Sequence, residues 1–258
     1  MAKTCRRHSA DWMVAMAFLA AWCGTPAASR AESSDPAAIR IADQVMAALG
    51  GQAKWDALPG IRWSFGSEVG DTVRSLRRHA WDKHRGLHRV EGTNRRDQEY
   101  CLIHALDGSM GKAWVAGQAI EGDSLAKLME SARALWTNDT YWMLMPYKLR
   151  DPGVTLAHEG TVEEDGATYD KIALSFDQVG LTPGDRYWVF VNQANHRIEK
   201  WEYLLQGREP PPSVRTWEDW EEHGGLWFPT AHRQGNSNVF TRDVETVMEF
   251  RPGEFEAP

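Results

Sequence analysis

The stretch NDTYWMLMPYKLRDPG, residues 138–153, places a dense apolar segment near the middle of the chain. Residues 141–147 comprise six large apolar side chains and Pro146, and a turn signal, Asp151-Pro152-Gly153, ends the stretch. A membrane-spanning helix needs ~20 apolar residues, so this segment is too short to cross a bilayer. It is also too apolar to remain in water. We therefore predict that this stretch covers a surface formed by other parts of the protein.

Helical spacing precedes this stretch and continues towards it. Apolar residues at near-helical intervals predict a helix over residues 123–136, namely Leu125, Leu128, Met129, Ala132 and Leu135. We expect Asn138 or Asp139 to cap the next turn and a second, short helix to begin at Thr140. Pro146 should disturb that second helix because it lacks a backbone N–H.

A period of two residues governs most of the remaining chain. Ile61, Trp63 and Phe65 alternate with polar residues, and similar short runs separated by turn residues continue to residue 115. Six or so further strands follow the apolar stretch, from residue 155 to residue 250. Asp35 and Pro36 predict the start of an N-terminal helix, which Gly50-Gly51 should end. The pattern predicts one α+β domain, with a large antiparallel sheet, an N-terminal helix and a central helical insertion.

The first 31 residues have the pattern of a secretory signal peptide. Lys3, Arg6 and Arg7 precede an apolar run over residues 12–22, and Ser29-Arg30-Ala31 fits a cleavage site. We therefore expect a signal peptide over residues 1–31, a single mature domain over residues 32–258 and a periplasmic location. An N-terminal membrane anchor is the alternative, but the apolar run is shorter than the ~20 residues that a bilayer needs. No later segment is apolar enough to cross a membrane.

Charge argues against a nucleic-acid partner. Removing residues 1–31 takes four of 29 basic residues and one of 36 acidic residues, which leaves a net charge of −10. Binding to phosphates requires clustered Lys and Arg, which an acidic exported domain lacks as a whole. One local basic cluster is interpreted as a solvated face; it comprises Arg74, Arg77, Arg78, Lys83, Arg85 and Arg89.

Three segments and their order resemble a known family. These are LGGQAKWDALPGIRWSF at residues 49–65, the stretch at residues 138–153, and DRYWVFVNQANHRIEKWEY at residues 185–203. The chain resembles the LolA-like (outer-membrane lipoprotein-sorting, LolA/LolB) superfamily, in a branch apart from the dedicated lipoprotein carriers. The resemblance implies that the large antiparallel sheet is a curved half-barrel and that the helical insertion plugs its concave face. It also implies an early-strand arginine that holds the lid, and Arg62 lies in a comparable region.

Aromatic residues carry the strongest functional signal. Eleven tryptophans lie beyond residue 31, and most are expected in the core, where large apolar side chains usually lie. The functional interpretation is that some of them, with adaptable methionines, line a hydrophobic cavity or lid. The candidate ligand-binding residues are Trp63, Phe65, Trp136, Trp142, Met143, Met145, Trp201 and Tyr203. We expect a monomer that binds or carries a lipid, an acyl chain or a lipidated protein terminus, without a cofactor.

Catalytic motifs are absent from the sequence. It contains no nucleophile elbow, phosphate-binding loop or zinc-protease motif, so we predict no catalytic residue. His79, His84 and His88 approach one another across a predicted turn, but Lys83 and Arg85 would repel a metal ion, and we expect no metal site. Two alternatives stay open at this point: an envelope sensor or scaffold, and an enzyme with an unrecognised site of histidines and acids.

Overall fold

A computed structural model describes residues 34–176 and 184–258 of the protein. The expected signal peptide, residues 1–31, lies outside the described residues. The helices are α1 (Pro36–Ala48), α2 (Gln52–Ala57) and α3 (Gly122–Leu144), and a 3₁₀ helix, Met145–Lys148, follows α3 directly. The predicted start of α1 is confirmed, because the Asp35 carboxylate accepts a hydrogen bond from the backbone N–H of Ala37 at 2.8 Å.

Strands make up most of the remaining described residues. Before α3 they are β1 (Gly60–Val69), β2 (Thr72–Asp82), β3 (Leu87–Thr93), β4 (Glu99–Ala105), β5 (Gly111–Val115) and β6 (Gln118–Ala119). After the 3₁₀ helix they are β7 (Val154–Glu164), β8 (Ala167–Phe176), β9 (Arg186–Asn192), β10 (Ile198–Leu204), β11 (Ser213–Thr216), β12 (Glu218–His223), β13 (Leu226–Gln234) and β14 (Ser237–Val247). The predicted helical insertion therefore separates two groups of strands.

The strands form two antiparallel sheets that adjoin at Trp217. One sheet has the order β12-β13-β14-β1-β2-β3-β4-β5-β6, and the other has the order β11-β10-β9-β8-β7. β11 and β12 follow each other in the chain, so the polypeptide passes from one sheet to the other there. The arrangement is open between β6 and β7, which makes it a half-barrel rather than a closed barrel. The predicted α+β class with a curved antiparallel sheet is confirmed.

The apolar stretch of residues 138–153 plugs the concave face of this half-barrel. Met143, Leu144 and Met145 are fully buried and belong to a core that both sheets and α1 share. Tyr147 fixes the 3₁₀ helix, because its hydroxyl donates to the carbonyls of Leu49 at 3.0 Å and Trp227 at 2.8 Å. Fully burying each of these large side chains contributes ~1.5–3 kcal/mol, so apolar burial holds the plug in place.

The predicted break between two helices is wrong. α3 continues from Gly122 to Leu144 without interruption. Neither Asn138 nor Asp139 caps a new helix, because both lie inside α3. The hydroxyl of Thr140 bonds back to the carbonyl of Trp136 within the helix, and the Asp139 side chain turns towards the sheet. The α-helical pattern ends just before Pro146, as expected for a residue without an N–H.

The C-terminal segment covers part of the outer face of the larger sheet. Phe255 is buried there against Ala80, Cys101 and Ile103. An open pocket of about 390 Å³ beside this segment is lined largely by charged groups, which suit a hydrophobic ligand poorly. These include Arg62, Arg78, Arg89, Glu91, Asp243, Glu245 and Glu254.

Candidate functional site

All eight predicted ligand-binding residues lie in one apolar cluster, which side chains of the plug and of the two sheets form together. Six of them are buried: Trp63, Phe65, Met143, Met145, Trp201 and Tyr203. Trp136 and Trp142, both on α3, are partly buried and pack against the same cluster. The structure therefore brings together side chains that are up to 140 positions apart in the chain, from Trp63 to Tyr203.

The cluster has two aromatic groups, one under each part of α3. Under the C-terminal end of α3, the ring centre of Trp142 lies 4.7 Å from that of Trp201 and 6.3 Å from that of Tyr203. Further towards the start of α3, the ring centre of Trp136 lies 4.9 Å from those of Trp81 and His88. The second group thus adjoins polar side chains that the predicted set did not include.

Those polar side chains form a buried chain of three histidines and one carboxylate, which we name the histidine chain: Asp139, His79, His88 and His104. His79 Nε2 lies 3.2 Å from Asp139 Oδ2. His79 Nδ1 lies 3.0 Å from His88 Nε2, and His88 Nδ1 lies 3.0 Å from His104 Nε2. These four residues are between 0% and 3% exposed, so the histidine chain is shielded from water along its whole length.

Strand register explains how these histidines meet. His88 on β3 lies directly opposite His104 on β4, and His79 on β2 lies diagonally across from His88. Side chains alternate between the faces of a strand, so all three point to the concave side. Trp63 lies opposite His79 on β1, and their rings stack with centres 4.7 Å apart.

Arg77 supplies the countercharge for the buried carboxylate. Its guanidinium contacts both oxygens of Asp139, with Nε at 2.6 Å from Oδ2 and Nη2 at 3.0 Å from Oδ1. Such a bidentate pair is among the strongest hydrogen-bonded arrangements in proteins. Because Arg77 is on β2 and Asp139 is on α3, the pair fastens the helical plug to the sheet.

Electrostatics fix the charge states within the histidine chain. Burial alone would raise the pKa of Asp139, but a hydrogen bond with His79 and the charge of Arg77 lower it below its ordinary value. Burial lowers the pKa values of His79 and His104 and lowers that of His88 strongly. At pH 7 the carboxylate is therefore ionised and the imidazoles are neutral. Each neutral ring has one donor and one acceptor nitrogen, so the three rings can link head to tail.

Sequence reasoning missed most of this arrangement. The local sequence pattern places Arg77 on a solvated face and Asp139 at a helix cap, and it does not single out His104. A usable signal was the two-residue period, which puts Arg77 and His79 on one face of β2. In β4 the same period puts His104 on the face of Leu102, which is buried against α3. His84, in contrast, is not part of the histidine chain. It lies at an exposed turn, where its ring contacts the carbonyl of Asp56 at 3.3 Å.

Arg62 does not take the lid-holding position that the resemblance implied. It lies on the outer face, where its guanidinium bonds to both carboxylate oxygens of Glu254 at 2.7 Å. The arginine of an early strand that reaches the helical insertion is Arg77. The physical reason is alternation: Trp63 faces the core, so its neighbour Arg62 must face outward.

The histidine chain does not have the geometry of a metal centre. Its ring nitrogens bond to one another instead of converging on one point, as metal ligands must. In residues 34–176 and 184–258, no group of three or more His, Cys, Asp and Glu is arranged to hold a metal ion. Within the same ranges, no helix combines the length and the apolarity that crossing a membrane requires.

Solved structures share this architecture. A DUF1329 family protein from Desulfovibrio piger matches with a TM-score of 0.50 and 13% identity, covering 86% of this chain and 98% of that one. A LolA superfamily protein from Nitrosomonas europaea matches with a TM-score of 0.50 and 14% identity, covering 84% of this chain and 96% of that one. The fold is LolA-like. Identities this low establish the LolA-like fold alone. No family model matches the sequence, and no curated protein does.

Proposed function

We propose that residues 32–258 form a periplasmic, non-catalytic domain that binds or carries a hydrophobic ligand beneath the helical plug. The observation that carries this proposal is the plug itself. Large apolar side chains of α3 and the 3₁₀ helix fill the concave face of an open half-barrel. The LolA-like fold supports it, as does the compact unit that residues 32–258 form. The ligand is a lipid, an acyl chain or a lipidated protein terminus, and the protein acts as a monomer.

Ligand entry requires displacement of the plug. Burial of an acyl chain gains ~0.8 kcal/mol for each methylene, so a chain of about 16 carbons gains roughly 12 kcal/mol. This gain is large enough to offset the exposure of several plug side chains. The ion pair between Arg77 and Asp139 sets an additional cost, because separating a buried pair is expensive. The pair therefore holds the plug against the sheet and opposes its displacement.

Lipid extraction tests the proposed function. The purified protein is extracted with organic solvent and analysed by mass spectrometry, before and after incubation with a lipid extract from bacterial membranes. We expect a lipid or an acyl-chain compound in stoichiometric amount after incubation. A protein that carries no lipid and takes up none would contradict ligand carriage and favour a sensor, a scaffold or an enzyme.

Trp142→Ala should separate a lid side chain from a permanent core side chain. Trp142 is only partly buried and rests on Trp201 at the end of α3. We therefore expect a stability loss of about 1–2 kcal/mol and at least a threefold change in the uptake rate of a fluorescent fatty acid. Denaturant unfolding and stopped-flow fluorescence measure the two effects.

Phe228→Leu is the matched control for that experiment. Phe228 is fully buried next to Tyr147, outside the predicted ligand-binding set. We expect a stability loss of about 1–2 kcal/mol with an unchanged uptake rate. Equal effects of the two substitutions on uptake would show that Trp142 acts through stability alone.

A further inference from the structure

Arg215 is a buried cation on the concave face of the half-barrel. It lies on β11 directly opposite Trp201 on β10, so both side chains share the inward face. Arg215 is only 4% exposed. No carboxylate within the described residues forms an ion pair with it, whereas Arg77 on the same side has Asp139. Buried charges in proteins are normally paired, so this arginine needs an explanation.

The contacts of Arg215 leave much of its hydrogen-bonding capacity unused. Its Nη1 donates to the carbonyl of His232 at 3.0 Å, and its Nη2 donates to the hydroxyl of Ser237 at 3.3 Å. Its guanidinium carbon lies 5.8 Å from the ring centre of Trp142. A guanidinium carries five N–H donors, and both acceptors are neutral groups. The positive charge is thus buried, solvated by dipoles and covered by a residue of the plug.

Two further buried donors near Arg215 have no acceptor. The indole N–H groups of Trp201 and Trp217 make no hydrogen bond within residues 34–176 and 184–258. The two rings are in contact, with centres 5.4 Å apart, and Trp217 in turn lies 4.5 Å from His232. An indole N–H can only donate. A cation without an anion and two donors without acceptors therefore occur together at one end of the plug.

The geometry points to Arg215 as the anchor for the carboxylate of a long-chain fatty acid, whose acyl chain enters the aromatic cluster of Trp142, Trp201 and Tyr203. This inference rests on the proposed function and names its ligand class. A carboxylate suits the site because its planar oxygens match the guanidinium fork. One negative charge also balances one positive charge, whereas a phosphate monoester would leave an unpaired charge in the core. Trp142 covers the guanidinium, so displacement of the plug would uncover the anchor and the apolar surface together.

The test compares amphiphiles that have one chain length and different headgroups. Palmitate, hexadecanol and hexadecyl phosphate are titrated into the purified full-length protein at pH 8, each below its solubility limit or critical micelle concentration. Displacement of a fluorescent apolar probe reports binding. We expect palmitate to bind at least tenfold more tightly than hexadecanol, and hexadecyl phosphate to bind less tightly than palmitate. Tighter binding of hexadecyl phosphate would overturn the assignment of a carboxylate.

Substitutions of arginine then assign the preference to one residue. Arg215→Met should remove the preference for palmitate and leave the affinity for hexadecanol within threefold of the original, which also shows that the variant is folded. Arg215→Lys should keep part of the preference. Arg40→Met, at an exposed position of α1, is the control and should change neither affinity.

The possible failures are distinguishable. If the original protein binds palmitate and hexadecanol equally, the anchor is wrong and the proposed hydrophobic site stands. If Arg215→Met keeps the full preference for palmitate, the carboxylate binds elsewhere and the anchor is again wrong. If neither amphiphile binds, the proposed function and the anchor are overturned together.

Discussion

Replacing Asp139 with alanine should lower the free energy of unfolding by about 3–5 kcal/mol at pH 7, the usual cost of removing one partner from a buried ion pair. The substitution leaves the Arg77 guanidinium largely buried without a countercharge and takes the carboxylate away from His79. It also removes the main polar link between α3 and the larger sheet. Urea unfolding followed by tryptophan fluorescence measures the effect, since aromatic rings surround this site.

Asp151 offers a matched control on the same segment of the chain. Its carboxylate pairs with Lys148, but the two side chains are 40% and 38% exposed. Exposed ion pairs contribute about 0–1 kcal/mol, so Asp151→Ala should change stability by less than 1 kcal/mol. Equal losses from the two substitutions would show that the Arg77–Asp139 pair does not hold the plug.

A double substitution separates charge burial from packing. Arg77→Met with Asp139→Leu replaces both charges by apolar groups of similar size. Such replacements are often neutral or stabilising, so the double variant should recover most of the stability that Asp139→Ala loses. If the ion pair opposes displacement of the plug, as proposed above, the double variant should also change the rate of ligand uptake. A double variant as unstable as Asp139→Ala would assign the loss to packing instead.

The sequence was sufficient to predict the elements whose signals are local. The cap of α1 at Asp35, the strands with a two-residue period and the plug between two groups of strands are all confirmed. Each of these signals lies within a few residues of the feature that it predicts. The predicted ligand-binding residues also fall in one cluster, because large apolar side chains on the inward face have no other place to be buried.

The continuous course of α3 could not be predicted from local signals. Asn138, Asp139 and Thr140 favour helix caps over helix interiors, since their side chains compete for backbone groups. In the folded protein that competition is absent at Asp139, because its carboxylate is bound to Arg77, 62 positions earlier in the chain. Tertiary contacts thus override a valid local preference.

The histidine chain could not be predicted from the sequence for a related reason. The proximity of the three rings can be deduced only from the register between β2, β3 and β4. The amino-acid sequence alone does not specify that register. The face of each residue was accessible, however. Alternation from Trp63 places Arg62 on the outward face, in agreement with the structure, whereas the family resemblance implied a position facing the plug.

Acidification from pH 7 to pH 5 should destabilise the protein strongly, because four buried histidines are neutral in the folded state. Burial lowers the pKa of His232 to about 3 and lowers those of the three histidines of the histidine chain. An unfolded histidine has a pKa of ~6.5, so below that pH the unfolded chain binds more protons than the folded one. The free energy of unfolding therefore decreases as the pH decreases. The loss is ~1.4 kcal/mol per pH unit for each histidine, until the pH reaches the pKa of that histidine in the folded protein. The lowered pKa of Asp139 adds a further loss only below about pH 4, where an unfolded carboxylate binds its proton.

Urea unfolding at pH 7, 6 and 5 measures this dependence and can assign it to residues. His88 faces His79, His104, Trp63 and Trp136, so an apolar ring suits its position. In His88→Phe the slope of stability against pH should fall by about one proton, or ~1.4 kcal/mol per unit. The exposed His84, whose ring contacts the carbonyl of Asp56, is the control, and His84→Gln should leave the slope unchanged. A protein equally stable at pH 7 and pH 5 would mean that the buried rings bind protons as readily in the folded protein as in the unfolded chain, and it would contradict the neutral state of the histidine chain.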